Sequence, residues 1–272
     1  MIVALAQVRS STDKAANLRL ARELIGEAKS KGASLVVFPE FLMAFSPAGQ
    51  SAEELCALAE PLHGPFVSSL GEAAVRTGIS IVATLYESAP ARKSSRVYDT
   101  AVWIEPSGNL AAAYRKVHLY DAFGFKESDK FAPGDELASP VRAGGAAFGM
   151  MICYDLRFPE VARLLALKGA DALAAPSGWV QGDLKLEHWR TMIRARALEN
   201  GCYVIAPDQV GNIYIGHSMV ADPLGRTLLD MDEREGVEIV ELDLSLITEV
   251  RNQLPLLANR RPDVYDRMKG NE

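Results

Sequence analysis

Cys153 lies between two segments of different pattern, and this position could expose its thiol as a nucleophile. The apolar residues 148–152 precede it and predict a buried strand. Residues 159–168 follow and predict a helix, because apolar side chains recur there at helical spacing. An α/β fold exposes a nucleophile at a sharp strand-to-helix transition of this kind. The simpler alternative is a cysteine that serves only as a small buried hydrophobic residue.

Two charged residues, Glu40 and Lys116, stand at the ends of other predicted strands. Glu40 follows a proline and the predicted strand 34–38, whose last four residues are apolar, and a strand of this composition is buried on both faces. A carboxylate at its end is partly desolvated and suited to act as a general base. Lys116 lies near the end of the strand 110–117, and an ammonium group beside a thiol favours the thiolate and can stabilise an oxyanion. Taken alone, either residue is equally compatible with a solvated strand end.

The composition limits the class of protein. The chain has 272 residues, of which 49% are hydrophobic, with a net charge of −6 and no basic block. We therefore expect a single α/β domain over residues 1–272, with a C-terminal arm from about residue 255. Neither nucleic acid nor a membrane is expected as a partner, since no apolar run reaches membrane-spanning length.

The cysteines indicate a reducing environment. Cys56, Cys153 and Cys202 are far apart and include no Cys-x-x-Cys pair, so the sequence predicts neither a disulfide framework nor a zinc site. We expect no metal and no cofactor. The N-terminus is too short and uncharged for a signal peptide, and together these features predict a cytoplasmic protein.

Hydrophobic periodicity predicts a mixed sheet covered by helices. A turn sequence at 105–109 joins two strands as a hairpin, which places antiparallel strands beside parallel ones. Residues 118–137 lack periodicity and predict a long loop. The predicted strands are 2–8, 34–38, 79–86, 97–104, 110–117, 148–152, 172–175, 202–206, 217–221 and 237–242. The first predicted helix is capped by Ser11 or Thr12 and ends at Gly32. The other predicted helices cover 66–77, 159–168, 188–200 and 244–253.

One internal similarity suggests two related halves. Residues 31–40 and 168–177 each contain a helix end, a glycine stop, a strand and then a proline. The similarity places Glu40 and Ser177 at matching strand ends. In α/β sheets the carboxyl ends of the strands form the ligand site.

Three motifs carry a resemblance to a known family. Glu40 lies in Phe-Pro-Glu-Phe, Lys116 in Tyr-Arg-Lys-Val-His-Leu and Cys153 in Ile-Cys-Tyr-Asp-Leu-Arg-Phe-Pro-Glu. Together they resemble the signatures of the nitrilase superfamily of carbon–nitrogen hydrolases, and the resemblance covers almost the whole chain. It implies a four-layer αββα sandwich with mixed sheets. It also implies a homodimer or higher homo-oligomer that pairs through the helices 159–168 and 188–200.

The resemblance also implies a role for each site residue. Cys153 would be the nucleophile, Glu40 the general base and Lys116 the stabiliser of the oxyanion, helped by the backbone N–H of Tyr154. Glu127 matches a second glutamate of the family, which orients the lysine and the substrate amine. The implied reaction is hydrolysis of a carboxamide through a cysteine thioester, with release of ammonia.

The resemblance also narrows the class of substrate that we expect. Around Cys153 and Trp189, and in the tail 260–265, the chain looks most like the omega-amidase and deaminated-glutathione amidase branch. That branch acts on ω-amides of short oxo or dicarboxylic acids, such as 2-oxoglutaramate. A substrate carboxylate needs a cation, which we expect to be Arg157 or Lys126. The candidate pocket walls are Tyr120, Ser177, Trp179 and His217.

Three alternatives stay open at this point. A papain-like hydrolase would need a histidine base, but none of His63, His118, His188 and His217 lies in a recognisable partner motif. A nitrilase or an N-carbamoyl amidohydrolase could use the same Glu-Lys-Cys site. A catalytically silent protein-interaction domain of the same fold is the third alternative, and the intact set of Glu40, Lys116 and Cys153 argues against it.

Overall fold

The computed structural model of the chain describes residues 1–89 and 96–269. None of the helices in this part of the chain has the length and apolar content to cross a bilayer. The strands are β1 (Ile2–Gln7), β2 (Leu35–Val37), β3 (Ser80–Glu87), β4 (Tyr98–Ile104), β5 (Leu110–Arg115), β6 (Val141–Ala143), β7 (Ala146–Met150), β8 (Ala172–Ala174), β9 (Tyr203–Ala206), β10 (Val210–Gly211), β11 (Tyr214–Ile215), β12 (Met219–Ala221), β13 (Thr227–Asp230) and β14 (Gly236–Glu241). The helices are α1 (Lys14–Ser30), α2 (Ala52–Leu58), α3 (Pro65–Thr77), α4 (Pro159–Leu167), α5 (Lys185–Asn200), α6 (Leu244–Gln253) and α7 (Pro262–Lys269).

Two six-stranded sheets share one strand pattern. The first sheet has the order β14-β1-β2-β3-β4-β5, and the second has the order β6-β7-β8-β9-β12-β13. In each sheet three neighbouring strands are parallel, namely β1-β2-β3 and β7-β8-β9. The other strands of each sheet pair antiparallel, one before the parallel strands and two after them. The mixed sheets predicted from the hairpin sequence are therefore confirmed.

The sheets pack face to face because their strands are apolar on both sides. On β1, Val3 and Leu5 belong to the core between the sheets, whereas Ala4 and Ala6 belong to the core beneath α1 and α3. Trp103 of the first sheet contacts Phe148 of the second, with ring centroids 5.2 Å apart. Helices α4 and α5 pack on the outer face of the second sheet. The predicted four-layer αββα sandwich is confirmed.

A glycine allows α4 to approach the second sheet closely. A Cβ atom at Gly149, the neighbour of Phe148 on β7, would lie 3.1 Å from both Leu165 and Leu173. Phe148 thus fills the space between the sheets while Gly149 leaves room for the helix outside them.

Two predicted helix starts are wrong by a few residues. The cap of α1 is Asp13, whose carboxylate accepts the N–H groups of Ala15 (2.8 Å) and Ala16 (3.2 Å). Ser11, which we expected to cap this helix, instead donates its hydroxyl to Asn17 Oδ1 (3.0 Å). Helix α5 begins three residues before the predicted start, because Lys185 already donates its N–H to the carbonyl of Gly182 (3.2 Å).

Several short elements were absent from the prediction. Helix α2 has a capping box, in which Ser51 and Glu54 bind each other's backbone N–H groups, but it is only seven residues long. Strands of two to four residues, such as β6 and β13, are too short for their periodicity to be recognised. The loop 118–137 contains a 3₁₀ turn at Glu127–Asp129, and the C-terminal arm contains α7.

Candidate active site

Cys153 follows strand β7 in a strained backbone conformation. Its φ angle is +44°, in the left-handed region that residues other than glycine rarely adopt. Such a conformation costs of order 1–3 kcal/mol and persists where the surroundings enforce it. Its N–H donates to the carbonyl of Pro176 (2.9 Å), at the end of the neighbouring strand β8. The predicted sharp transition is present, although a 3₁₀ turn at Cys153–Arg157 separates the cysteine from α4.

Asp155 fixes the turn that carries the cysteine, and no local sequence pattern singles it out. This fully buried carboxylate accepts hydrogen bonds from the hydroxyl of Tyr114 (2.7 Å) and from the N–H groups of Ile152 (2.9 Å) and His118 (3.2 Å). Ile152 directly precedes Cys153, whereas Tyr114 and His118 flank Lys116. One side chain thus connects the nucleophile turn of the second sheet to the end of β5 in the first.

Glu40 is fully buried, with each carboxylate oxygen held by one donor. Oε1 accepts from Lys116 Nζ (2.7 Å), and Oε2 accepts from the N–H of Gly178 (2.7 Å). The carbonyl of Glu40 accepts from Gln209 Nε2 (2.9 Å). These contacts come from both sheets, so the carboxylate lies where the two sheets meet.

Lys116 binds two carboxylates at once. Besides Glu40, its ammonium donates to Oε1 (3.0 Å) and Oε2 (2.9 Å) of Glu127. Glu127 also accepts the N–H of Tyr120 (2.7 Å), which holds the loop against the lysine. Only 1% of the Lys116 side chain is exposed, so these ion pairs are shielded from solvent.

The electrostatics keep the lysine charged and the thiol protonated. Burial by itself lowers the pKa of Lys116, but the charges of Glu127 and Glu40 outweigh burial and hold that pKa well above its usual value. Burial raises the pKa of Cys153 well above its usual value, and the charge of Glu40 adds to this, while Lys116 opposes it. Burial likewise raises the pKa of Glu127, against the effect of Lys116. A cysteine of this kind needs a base before it can attack.

A cavity of about 320 Å³ opens over Cys153. Four of the residues predicted to bind substrate line it, together with the catalytic candidate Glu127 and the residue that follows the cysteine, Tyr154. These four are Tyr120, Lys126, Arg157 and Trp179. Lys126 lies at the rim, where its side chain is 66% exposed and pairs with Asp129 (3.1 Å).

The other two predicted wall residues lie elsewhere. Ser177 is fully buried, and its hydroxyl donates to the carbonyl of Ala175 (2.9 Å). Its backbone carbonyl accepts the N–H of Glu40 (3.2 Å), so Ser177 supports the base candidate through its main chain. His217 pairs through Nδ1 with Asp230 (2.8 Å), and neither Ser177 nor His217 is among the described residues that line the cavity.

Lys185 lines the cavity and was missed by the sequence reasoning. Only 6% of this residue is exposed, although it is the first residue of α5. Its ammonium donates to the hydroxyl of Tyr120 (2.5 Å) and lies 4.3 Å from the ring centroid of Phe123. A lysine followed by a leucine and a glutamate at a helix start is an ordinary solvated pattern, so the sequence carried no signal for its burial.

One group of residues outside the cavity contains side chains of the kinds that bind metal ions. Within the described chain, ligand atoms of His217, Asp230 and Asp232 lie within 4.8 Å of one another. Asp230 is already bound by His217 and by Arg190 (2.9 Å). These contacts account for the arrangement as a hydrogen bond from one side and an ion pair with Arg190 from the other.

The chain matches the family model for carbon-nitrogen hydrolases over residues 2–252. A deaminated glutathione amidase of Escherichia coli O157:H7 is 36% identical over 262 residues, which cover 96% of this chain and 97% of that protein. A solved structure of a carbon-nitrogen hydrolase from Helicobacter pylori G27 is similar with a TM-score of 0.88 at 27% identity, covering 98% of each chain. A mutant amidase of Nesterenkonia sp. AN1, with the acetamide moiety of fluoroacetamide covalently added at its active site cysteine, gives a TM-score of 0.80 at 26% identity over 98% of this chain and 96% of its own.

This chain belongs to the carbon-nitrogen hydrolase family. The predicted membership of the nitrilase superfamily, in the omega-amidase and deaminated-glutathione amidase branch, is confirmed by these matches. The prediction of an amide-hydrolysing enzyme is confirmed as well. The papain-like alternative has no support from the family, and in the described chain no histidine lines the cavity.

Proposed function

We propose that this enzyme hydrolyses the terminal carboxamide of a small acid, such as 2-oxoglutaramate, to the diacid and ammonia through a thioester on Cys153. One observation carries the proposal: a buried ammonium, Lys116, binds both Glu40 and Glu127 beside a buried thiol. This arrangement supplies an acceptor for the thiol proton and a fixed positive charge for the oxygen of the attacked carbonyl.

In the acylation step Glu40 acts twice, first as a base and then as an acid. The raised pKa of Cys153 keeps its thiol protonated at neutral pH, so Glu40 removes the proton as the sulfur attacks the amide carbon. The negative charge then forms on the amide oxygen, next to Lys116 and the backbone N–H of Tyr154. Preorganised donors of this type are each worth about 10²–10³ in rate. Glu40 returns the proton to the amide nitrogen, and ammonia leaves as the carbon–nitrogen bond breaks.

The deacylation step repeats the same proton path with water. Glu40 takes a proton from a water molecule whose oxygen attacks the thioester carbon. The carbon–sulfur bond breaks, the acid is released, and the proton returns to Cys153. Glu127 holds Lys116 in place through both carboxylate oxygens and lines the cavity, where it can also contact the leaving amine.

The size and charge of the cavity favour a small anionic amide. Its volume of about 320 Å³ lies at the lower end of the range for small-molecule sites, about 300–1,000 Å³. The chain is acidic overall, yet four basic residues line the cavity against two acidic ones, Glu127 and Asp129, which both pair with lysines. The basic residues are Lys126, Lys130, Arg157 and Lys185. The name of the Escherichia coli relative also supports an acid-bearing amide.

The test is an ammonia-release screen with the purified enzyme. The panel contains 2-oxoglutaramate, 2-oxosuccinamate, deaminated glutathione, uncharged aliphatic amides, N-carbamoyl compounds and nitriles. We expect the highest kcat/KM among the amides that carry a carboxylate. Preference for nitriles or N-carbamoyl compounds would contradict the proposal and support the alternative use of the same site.

We also propose that the enzyme is a cytoplasmic homodimer paired through α4 and α5. Leu164 (48% exposed), Leu167 (43%) and Leu198 (43%) place apolar side chains on the outer surface of these helices. Covering such side chains is favourable, since burial of apolar surface contributes about 25 cal/mol per Å². All three cysteines are free, in keeping with a reducing compartment.

A further inference from the structure

Lys185 differs from the other buried basic residues of the described chain. Three basic residues there are buried, namely Lys116, Lys185 and Arg196. Lys116 binds two glutamates, and Arg196 binds Glu199 (2.6 Å). No carboxylate of the described residues lies within ion-pair distance of Lys185. A buried charge without a counter-ion is costly, and a ligand that supplied the opposite charge would offset that cost.

Arg157 is a second cation in the same wall without a carboxylate partner among the described residues. Its guanidinium carbon lies 4.6 Å above the ring centroid of Trp179, and its Nη2 is 3.5 Å from His188 Nδ1. The indole N–H of the same tryptophan donates to the backbone carbonyl of Lys185 (2.9 Å). Trp179 therefore positions both cations, one through its ring face and the other through its nitrogen.

Tyr120 completes the group and connects it to the catalytic cluster. Its hydroxyl accepts a hydrogen bond from the Lys185 ammonium, so its own proton is available for donation to a further acceptor. Its backbone N–H is bound by Glu127, the partner of Lys116. The cations and the nucleophile thus lie along one continuous cavity wall.

We infer that Lys185 and Arg157, with the Tyr120 hydroxyl, bind the carboxylate at the far end of the substrate while its amide lies at Cys153. The inference rests on the proposed function and assigns the acid end of that substrate class. Burial and the charge of Arg157 lower the pKa of Lys185, and a bound carboxylate would oppose both effects. Lys126 and Lys130 are less suited, because Lys126 pairs with Asp129 and Lys130 donates to the carbonyl of Pro47 (3.3 Å).

The kinetic test compares two amides of equal chain length. Glutaric acid monoamide carries the carboxylate, and pentanamide has a methyl group in its place. Lys185→Met nearly keeps the length of the side chain and removes its charge. In this variant we expect the ratio of kcat/KM for the acid to kcat/KM for pentanamide to decrease by a factor of about 10 to 100. Loss of a hydrogen bond to a charged group has an effect of this size. The loss should lie mainly in KM, and Lys185→Arg should restore part of it.

A matched control removes the same charge elsewhere. Lys29 is exposed on α1, and Lys29→Met should leave the ratio of the wild-type enzyme unchanged. An equal loss with both amides in Lys185→Met would indicate a structural role for the lysine and overturn the inference. An unchanged ratio of the two kcat/KM values in Lys185→Met would also overturn the inference.

A binding measurement separates this inference from the proposed function. Calorimetric titration of glutarate into the wild type and into Lys185→Met does not depend on turnover. We expect Kd to rise at least tenfold in the variant. If the wild type hydrolysed neither amide but bound glutarate through Lys185, the proposed function would fail and the carboxylate site would stand. If the amide were hydrolysed and Kd were the same in both proteins, the carboxylate site would fail and the function would stand.

Discussion

The matching strand ends of the two sheets carry different chemistry. Glu40 follows β2, the middle parallel strand of the first sheet, and Ser177 follows β8, the middle parallel strand of the second. Both come directly after a proline, and the N–H of Glu40 donates to the carbonyl of Ser177. Glu40 directs its carboxylate to Lys116, whereas the Ser177 hydroxyl turns back to its own strand.

The difference shows how a repeated scaffold can support an asymmetric site. The first sheet contributes Glu40 and Lys116, which are the charged groups. The second sheet contributes the thiol of Cys153, at the end of a strand beside the one that carries Ser177. Face-to-face packing brings the two contributions together, and neither sheet has the complete set.

The largest expected effect comes from removal of the Cys153 thiol, which the second sheet contributes to the site. Cys153→Ala should abolish ammonia release, with a loss of about 10⁴–10⁶ in kcat, because the proposed thioester needs a thiol and no other cysteine of the described chain lines the cavity. Circular dichroism should show an unchanged fold, since the alanine is smaller and the turn is held by Asp155. Mass spectrometry should detect an acyl adduct on the wild type and none on the variant. Retained turnover would eliminate Cys153 as the nucleophile.

The matched pair of strand ends gives the second test. Glu40→Gln keeps the shape of the side chain but removes the proton acceptor, and single-turnover acylation should slow by about 10²–10⁴. Ser177→Ala should change acylation by less than tenfold, because among the described residues that hydroxyl binds only the carbonyl of Ala175. Similar effects of the two substitutions would mean that the strand ends do not differ in role as described.

The outer helix layers provide a third comparison. Helix α4, over the second sheet, exposes Leu164 and Leu167, and we expect α4 and α5 rather than α1 and α3 to pair subunits. The double change of both leucines to aspartate should raise the dimer dissociation constant at least a hundredfold in sedimentation experiments, because charges replace buried apolar surface. The exposed Val75 of α3, changed to aspartate, is the control. A wild-type monomer would contradict the dimer proposal directly.

The smallest effect concerns stability within the first sheet. Asp99 on β4 is buried, its Oδ2 lies 3.9 Å from Lys116 Nζ, and burial followed by the charge of Glu40 raises its pKa well above the usual value. An acid whose folded-state pKa is raised binds more protons in the folded state, so it destabilises the fold as pH rises above its unfolded pKa. Asp99→Asn should therefore raise the free energy of unfolding at pH 7 by at least about 1 kcal/mol. Near pH 3.5 the difference should vanish in urea unfolding, and a constant difference across pH would refute the assignment.

Much of the scaffold follows from local pattern. Apolar strands such as β2 and β8, followed by proline, were recognisable, and they placed Glu40 and Ser177 at matching ends. Glu40, Lys116 and Cys153 were predictable because each ends a strand and each lies in a family motif. The structure brings the three to one place.

The remaining features depend on contacts between distant segments. Asp155 contacts Tyr114, and Asp99 lies near Lys116, because strand ends distant in sequence pack against each other. No local pattern encodes these contacts. Lys185 could not be predicted, because the face of α5 that buries Trp189 and Ile193 also buries charged residues, and apolar spacing does not show which charged residues are covered. The role of Ser177 was missed because its backbone, and not its hydroxyl, makes the contact with Glu40.

The pairing of Lys116 with two glutamates has a consequence for the total charge of the site during the reaction. With Glu40 and Glu127 ionised and the thiol neutral, the cluster carries a total charge of −1. In the proposed acylation, the thiol proton passes to Glu40 and the negative charge appears on the attacked oxygen, so the total is still −1. The charge moves a short distance inside a shielded space, and the surrounding dipoles need little reorientation. We therefore expect the rate of acylation to change little with salt concentration, while the capture of an anionic substrate weakens as salt screens the approach.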